Sequence, residues 1–201
     1  MMVRETSTPS IARPPLVLAS ASPRRRALLA GLGLEFQVEP TDIDETPRPG
    51  ETPEDLVRRL SRRKAQVAAR RCQGTLVIAA DTVVALDGDL LGKPGNEAEN
   101  RTFLERLAGR EHEVYTGHAL QWGERYEVRV VRTAVQFRAL TTREIAWYAA
   151  TGEGLDKAGG YAIQGFGATL VQGICGCYFN VVGLSIVAVI AAARAMEVEL
   201  L

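Results

Sequence analysis

Leu16-Val17-Leu18-Ala19-Ser20-Ala21-Ser22-Pro23-Arg24-Arg25-Arg26 is the stretch on which the reading of the fold turns. An apolar run followed by small polar residues reads as a buried strand, and proline then opens a helix. Ser22 suits the N-cap and Pro23 the first helical position. Three arginines follow at once. A helix N-terminus carries partial positive charge, so each cation there is disfavoured by about 0.3–1 kcal/mol. The free N–H groups at the same end already favour an anion. The arginines make sense if a multiply charged anion such as phosphate, which guanidinium matches bidentately, binds at this turn. The alternative is a solvated basic turn whose aliphatic stems cover neighbouring surface.

Outward from this turn, Glu35–Glu39 reads as a short strand and 40–47 as an acidic loop carrying Asp44 and Glu45. Thr52 caps a helix reaching about Arg71, with Leu56, Val57, Leu60, Val67 and Ala68 at helical spacing and arginines on the other side. Lys64 falls on the apolar stripe, so its ammonium either extends to water or points into a cleft. Thr75–Leu86 is long, β-branched and nearly continuous, the pattern of a central strand covered on both faces. Asp81 lies in its middle. A buried carboxylate needs a partner, and a central strand has few free backbone donors. A metal ligand or general base is therefore preferred over an Asp that bridges backbone at a bulge.

Asp87-Gly88-Asp89 reads as a hairpin turn leading to Gly92-Lys93-Pro94. That segment fails as a Walker A loop, because Pro94 stands where a Mg²⁺-binding Ser or Thr is required. On its own, Lys93 reads as an exposed lysine. A helix follows from Asn96 to about Ala108, then a hairpin of Glu111–Trp122 and Tyr126–Phe137, then a helix over 143–151 capped by Thr141 or Thr142. The next region is rich in glycine and reads as loops with close backbone approach; no GxGxxG occurs in it. Asp156, Lys157, Tyr161, Gln164 and Asn180 are its candidate ligand-facing groups, with a loop hydrogen bond the better reading for Asp156 and Asn180. Val181–Ala193 reads as a buried terminal helix.

The 201 residues are 46% hydrophobic, enough for a sizeable core, and 24 basic side chains balance 24 acidic ones. Zero net charge argues against non-specific nucleic-acid binding. Three cysteines do not form a disulfide framework, and with two histidines and no CxxC a zinc site would be hard to build. Cys175 and Cys177 read as space-filling residues on one strand face. Residues 1–13, rich in Ser, Thr, Pro and charge, read as a disordered tail without the apolar stretch of a signal peptide. The longest apolar run is shorter than the roughly 20 residues of a spanning helix, so a cytoplasmic protein without a membrane segment is expected.

Taken together, Leu18–Arg25, Asp44-Glu45, Lys64-Ala65, Ala80–Val84, Gly92-Lys93-Pro94 and Lys157–Gly165 resemble the motifs of the Maf family of nucleoside triphosphate pyrophosphatases, once called septum-formation inhibitors. Each motif is short; their order along the chain, from Leu16 to about Ile190, makes the resemblance specific. Ser185 stands where the family usually has proline, and Cys177 where serine is common. The resemblance implies an α/β fold: an elongated mixed β-sheet flanked by helices, with two lobes and a central cleft, in one domain over 14–201. It implies cleavage between the α and β phosphates, and the Lys157–Gly165 motif is similar to the branch acting on dTTP and UTP. House-cleaning of modified nucleotides and a link to cell-division arrest would follow, with a homodimer expected. Arg24 and Arg25 would hold the phosphates with Ser20, while Lys64 and Lys93 add positive charge. Glu45 and Asp81 would bind Mg²⁺ or Mn²⁺, hard cations suited to carboxylates, with Asp44 the alternative to Glu45 as the ligand from the acidic loop. Asp81 would activate water, and Thr82 and Gln164 would read the base. The competing expectations are a pyrophosphatase for 7-methyl-GTP or for inosine or xanthosine triphosphate, and a non-enzymatic regulator of septum formation.

Overall fold

In a computed structural model the described residues are 14–201; the expected tail at 1–13 lies outside them. Seven strands form one mixed sheet. Strand β1 (Leu16–Leu18) runs into helix α1 (Pro23–Ala30), whose cap Ser22 accepts the Arg25 N–H. Strand β2 (Phe36–Val38) leads through the acidic loop to α2 (Pro53–Arg71), capped by Thr52. Strand β3 (Leu76–Leu86) turns at Asp87-Gly88 into β4 (Asp89–Leu91), followed by α3 (Glu97–Leu107). The long hairpin β5 (Glu111–Trp122) and β6 (Arg125–Phe137) precedes α4 (Thr142–Ala150), which opens with a Thr141/Glu144 capping box. Strand β7 (Val171–Cys175) and helices α5 (Tyr178–Val182) and α6 (Ile186–Ala195) complete the chain.

The strand order is β2-β1-β3-β5-β6-β7, with β4 paired to β3. The β1–β2 and β1–β3 pairs are parallel and the others antiparallel. β3 is therefore central, and its alternation distributes the core. Leu76, Ile78 and Ala80 face a cluster with Leu29 of α1 and Val189 and Ala192 of α6. Val77 and Ala79 face Ala65 and Ala68 of α2. Further along, Val84 and Leu86 join a separate cluster with Leu104 of α3 and Tyr148 of α4. Asp81, Thr82 and Val83 belong to none of these clusters. The break between the cores thus falls at the one carboxylate of β3.

Two expectations need correction. The run at 181–193 is not one helix. Gly183 (φ +120) ends α5, and the Ser185 hydroxyl caps α6 by accepting the Ala188 N–H at 3.4 Å. Cys175 is not space-filling: it is exposed at the end of β7, and Gly176 (φ +129) turns the chain so that Cys177 begins α5. β7 itself is a strand within what reads as glycine-rich loop. Among the described residues, no helix is long and apolar enough to cross a membrane.

Candidate active site

A cleft of about 610 Å³ opens where the cores part. Its lining includes Ser20, Arg24 and Arg25, Glu45, Lys64, Asp81 and Thr82, Lys93, and the stretch Tyr161–Gln164. That size falls within the range of small-molecule sites. Every residue to which the resemblance assigns a catalytic, metal-binding or substrate-binding role lines the cleft, and of the candidate ligand-facing groups in the glycine-rich region Asn180 is the one that does not.

The alternation of β3 sends Asp81 and Thr82 to opposite faces. Asp81 points toward α2, where Lys64 Nζ donates to its Oδ1 at 2.5 Å. The same ammonium lies 2.5 Å from Glu45 Oε1. Of the two futures open to a lysine on an apolar stripe, the structure takes the cleft: Lys64 is only 9% exposed. The reason lies on the neighbouring strand. Gly117 of β5 lies opposite Asp81 in the register, and a Cβ there would come within 2.2 Å of the Val57 carbonyl oxygen. Glycine lets the α2 backbone rest directly on the sheet, which brings Lys64 to Asp81.

Burial raises the Asp81 pKa, against the opposing charges of Lys64 and Arg25. Burial also pushes Glu45 upward, but the hydrogen bond and charge of Lys64, helped by Lys93 and Arg25, outweigh it and leave its pKa lowered. Two neighbouring carboxylates thus have their pKa values displaced in opposite directions, an arrangement that separates acid–base roles.

On the other face, Thr82 Oγ1 accepts from Arg25 Nη2 at 2.9 Å and lies 2.9 Å from Thr116 Oγ1. Arg25 Nη1 donates to Ser20 Oγ at 3.3 Å and to the Ala80 carbonyl at 2.8 Å, and Nε donates to the Gly183 carbonyl at 2.7 Å. Of the five guanidinium N–H donors, these bonds engage four. Arg25 therefore binds three chain segments together beneath the cleft and keeps one N–H for another acceptor. Arg24 is freer: its contact is a 3.8 Å ion pair with Asp156.

Lys93 is exposed on the turn after β4, which is fixed where Gly159 N–H donates to the Gly92 carbonyl at 3.0 Å. Gln164 is exposed at the rim. Tyr161 is buried with its hydroxyl 2.7 Å from His112 Nε2, so it is a support for the loop. Asn180 donates to the Val114 carbonyl and to Thr133 Oγ1, both at 3.0 Å, the loop-bonding role expected of it. Asp156 pairs with Lys157 at 2.5 Å as well as with Arg24.

Several contributing residues carry no sequence signal. Thr116 lies within an ordinary strand pattern. His118 is fully buried and its Nε2 accepts the Ser185 N–H at 2.8 Å, fixing the Gly183 segment that meets Arg25. Asn100, buried on α3, donates to the Gly160 carbonyl at 2.7 Å. Its place among the alternating charges of α3 gives no hint of that bond.

Two carboxylates converging on one cation are a donor set that fits a hard divalent metal. Mg²⁺ is commonly held by one or two carboxylates, with water and substrate phosphates completing its shell. Among the described residues, no group of three or more His, Cys, Asp and Glu side chains could hold a metal.

The chain is similar to several proteins of known description. A Myxococcus xanthus protein described as dTTP/UTP pyrophosphatase is 59% identical over 169 residues, covering 84% of this chain and 86% of that protein. Proteins of the same description from Citrifermentans bemidjiense and Thermus thermophilus are 49% and 47% identical, covering 89% and 87% of this chain and 94% and 90% of theirs. A solved HAM1 protein from Coxiella burnetii shows a slight likeness, with TM-score 0.42 and 20% identity over 61% of this chain and 72% of that one. Residues 15–196 match the family described as Maf-like protein, so the chain that brings Lys64 between Glu45 and Asp81 belongs to the Maf family.

Proposed function

We propose that this chain is a nucleoside triphosphate pyrophosphatase that hydrolyses dTTP and UTP to the monophosphate and pyrophosphate. The observation that carries the reading is the buried Asp81, whose partner Lys64 also pairs with Glu45, inside a cleft whose other wall is the arginine-bearing turn. A triphosphate brings roughly four negative charges, so its hydrolysis depends on neutralising charge and positioning water. Arg24, at the N-terminus of α1, and Lys93, across the cleft, meet the phosphates from two sides. Ser20 and the remaining N–H of Arg25 are the donors at the end of β1. Lys64 holds Asp81 in place and supplies positive charge where negative charge builds up.

Asp81 takes the proton of the attacking water. A pKa raised by burial makes it a stronger base than an exposed carboxylate, while its neighbouring cations keep an ionised form accessible. Glu45 and Asp81 would hold Mg²⁺ or Mn²⁺; when bound, that ion supplies Lewis-acid neutralisation of phosphate charge. Thr82 and Gln164 face the base, where a carboxamide can pair with the carbonyl and N–H edge of uracil or thymine. The resemblance to Maf proteins supports further expectations: one domain of two lobes over 14–201, a homodimer, a cytoplasmic setting and house-cleaning of modified nucleotides. The test is incubation with a panel of nucleotides and Mg²⁺ or Mn²⁺. Pyrophosphate release is expected from dTTP and UTP and much less from purine triphosphates; equal rates across the panel would overturn the pyrimidine assignment.

A further inference from the structure

Gln164 stands on a stretch without a sheet or α-helix to support it, just before a short 3-10 turn at Gly165–Thr169. A side chain discriminates between bases only if its backbone is fixed. The fixing contacts come from α4 and the turn after it. Upstream, Ala162 N–H donates to Tyr148 Oη at 3.1 Å. Downstream, the N–H groups of Phe166 and Gly167 donate to the two carboxylate oxygens of Glu153, at 3.0 and 2.9 Å. Between them Gly165 has φ +65, and a Cβ there would lie 2.2 Å from Glu153 Oε1. The carboxylate is pressed into space that only glycine leaves open. Glu153 is itself anchored: its N–H donates to Thr151 Oγ1 at 3.1 Å, and its carbonyl accepts from Lys157 Nζ.

We propose that Glu153 is a specificity-determining positioning residue, its carboxylate holding the Gln164 loop in the one placement that reads a pyrimidine edge. This rests on the reading of the cleft as a nucleotide site with Gln164 at the base. A carboxylate accepts two backbone N–H groups on separate oxygens. A carboxamide presents one acceptor oxygen and keeps one of these bonds; alanine keeps neither.

The experiment measures kcat and KM for UTP and GTP with wild type, Glu153→Ala and Glu153→Gln. For Glu153→Ala the KM for UTP rises about tenfold while kcat at saturation changes little, and kcat/KM for GTP is unchanged. The UTP:GTP preference therefore falls about tenfold, with Glu153→Gln in between. A general loss of folded protein would lower kcat for both nucleotides together and leave the ratio intact; that result overturns the proposal. If the alanine variant does not fold, Glu153→Gln carries the comparison, and an unchanged ratio there has the same consequence. A wild type that does not distinguish UTP from GTP overturns the pyrimidine reading and this proposal together. A selective wild type with equally selective variants overturns only the role of Glu153.

Discussion

Asp81 and Lys64 are charged groups in a place where solvation is scarce, and each makes the other tolerable. Truncating one partner leaves a buried charge without its hydrogen bond, whereas an amide at position 81 preserves volume and an acceptor, and Glu45, 2.5 Å from the Lys64 ammonium, still balances its charge. Asp81→Asn is therefore expected to fold, with a circular-dichroism spectrum and melting temperature close to wild type. Its kcat should fall by about 10²–10⁴ through loss of the base. Near-normal turnover in that variant would remove Asp81 from the chemistry. Lys64 also marks the limit of what the sequence shows at this scale. Its position on an apolar stripe is legible, but the direction of its ammonium is set by Gly117 on another strand. Arg25 is the same case: its Nε bond goes to a carbonyl 158 residues away, a partner that no local pattern identifies. The turn around Ser22-Pro23-Arg24 is legible because cap, proline and charge are all local.

At the scale of elements, the decisive contact is between α2 and the sheet. The boundaries of α2, α3, α4 and the β5–β6 hairpin follow from caps and periodicity in their own sequences, and the structure reproduces them closely. β7 and the break between α5 and α6 are harder to read, because glycine density masks a strand whose pairing is with β6 and whose own side chains are mostly exposed. The contact at Gly117 is testable. Gly117→Ala places a methyl group against the Val57 carbonyl and pushes α2 off β5. A loss of about 1–3 kcal/mol is expected from overpacking, read by urea unfolding. Turnover of the folded fraction should fall too, because Lys64 moves away from Asp81. A stable, fully active Gly117→Ala would show that close packing of α2 does not set this geometry.

For the whole molecule, two buried imidazoles link stability to pH. Burial lowers the pKa of both His112 and His118 to about 4. An unfolded histidine titrates near 6.5. Above that pH the rings are neutral in both states and the native contacts are fully present. As pH falls from 6.5 toward 4, the unfolded chain takes up protons that the folded chain refuses, so stability falls. The loss is on the order of 3 kcal/mol per ring at most across that window. Urea midpoints at pH 7.5 and pH 5 should differ accordingly, and His118→Asn should show a smaller difference. An equal difference in the variant would contradict the contribution assigned to His118.

The architecture places the cleft where β3 passes from one core to the next, and we propose that the carboxylate interrupting this apolar strand is also the one at the chemistry. That claim is tested most directly by ³¹P NMR of dTTP incubated with the protein and Mg²⁺ or Mn²⁺. The prediction is resonances of dTMP and pyrophosphate appearing together, about 10²–10⁴ times more slowly in the Asp81→Asn variant. Appearance of dTDP and orthophosphate, or of any product at the wild-type rate with Asp81→Asn, would contradict it.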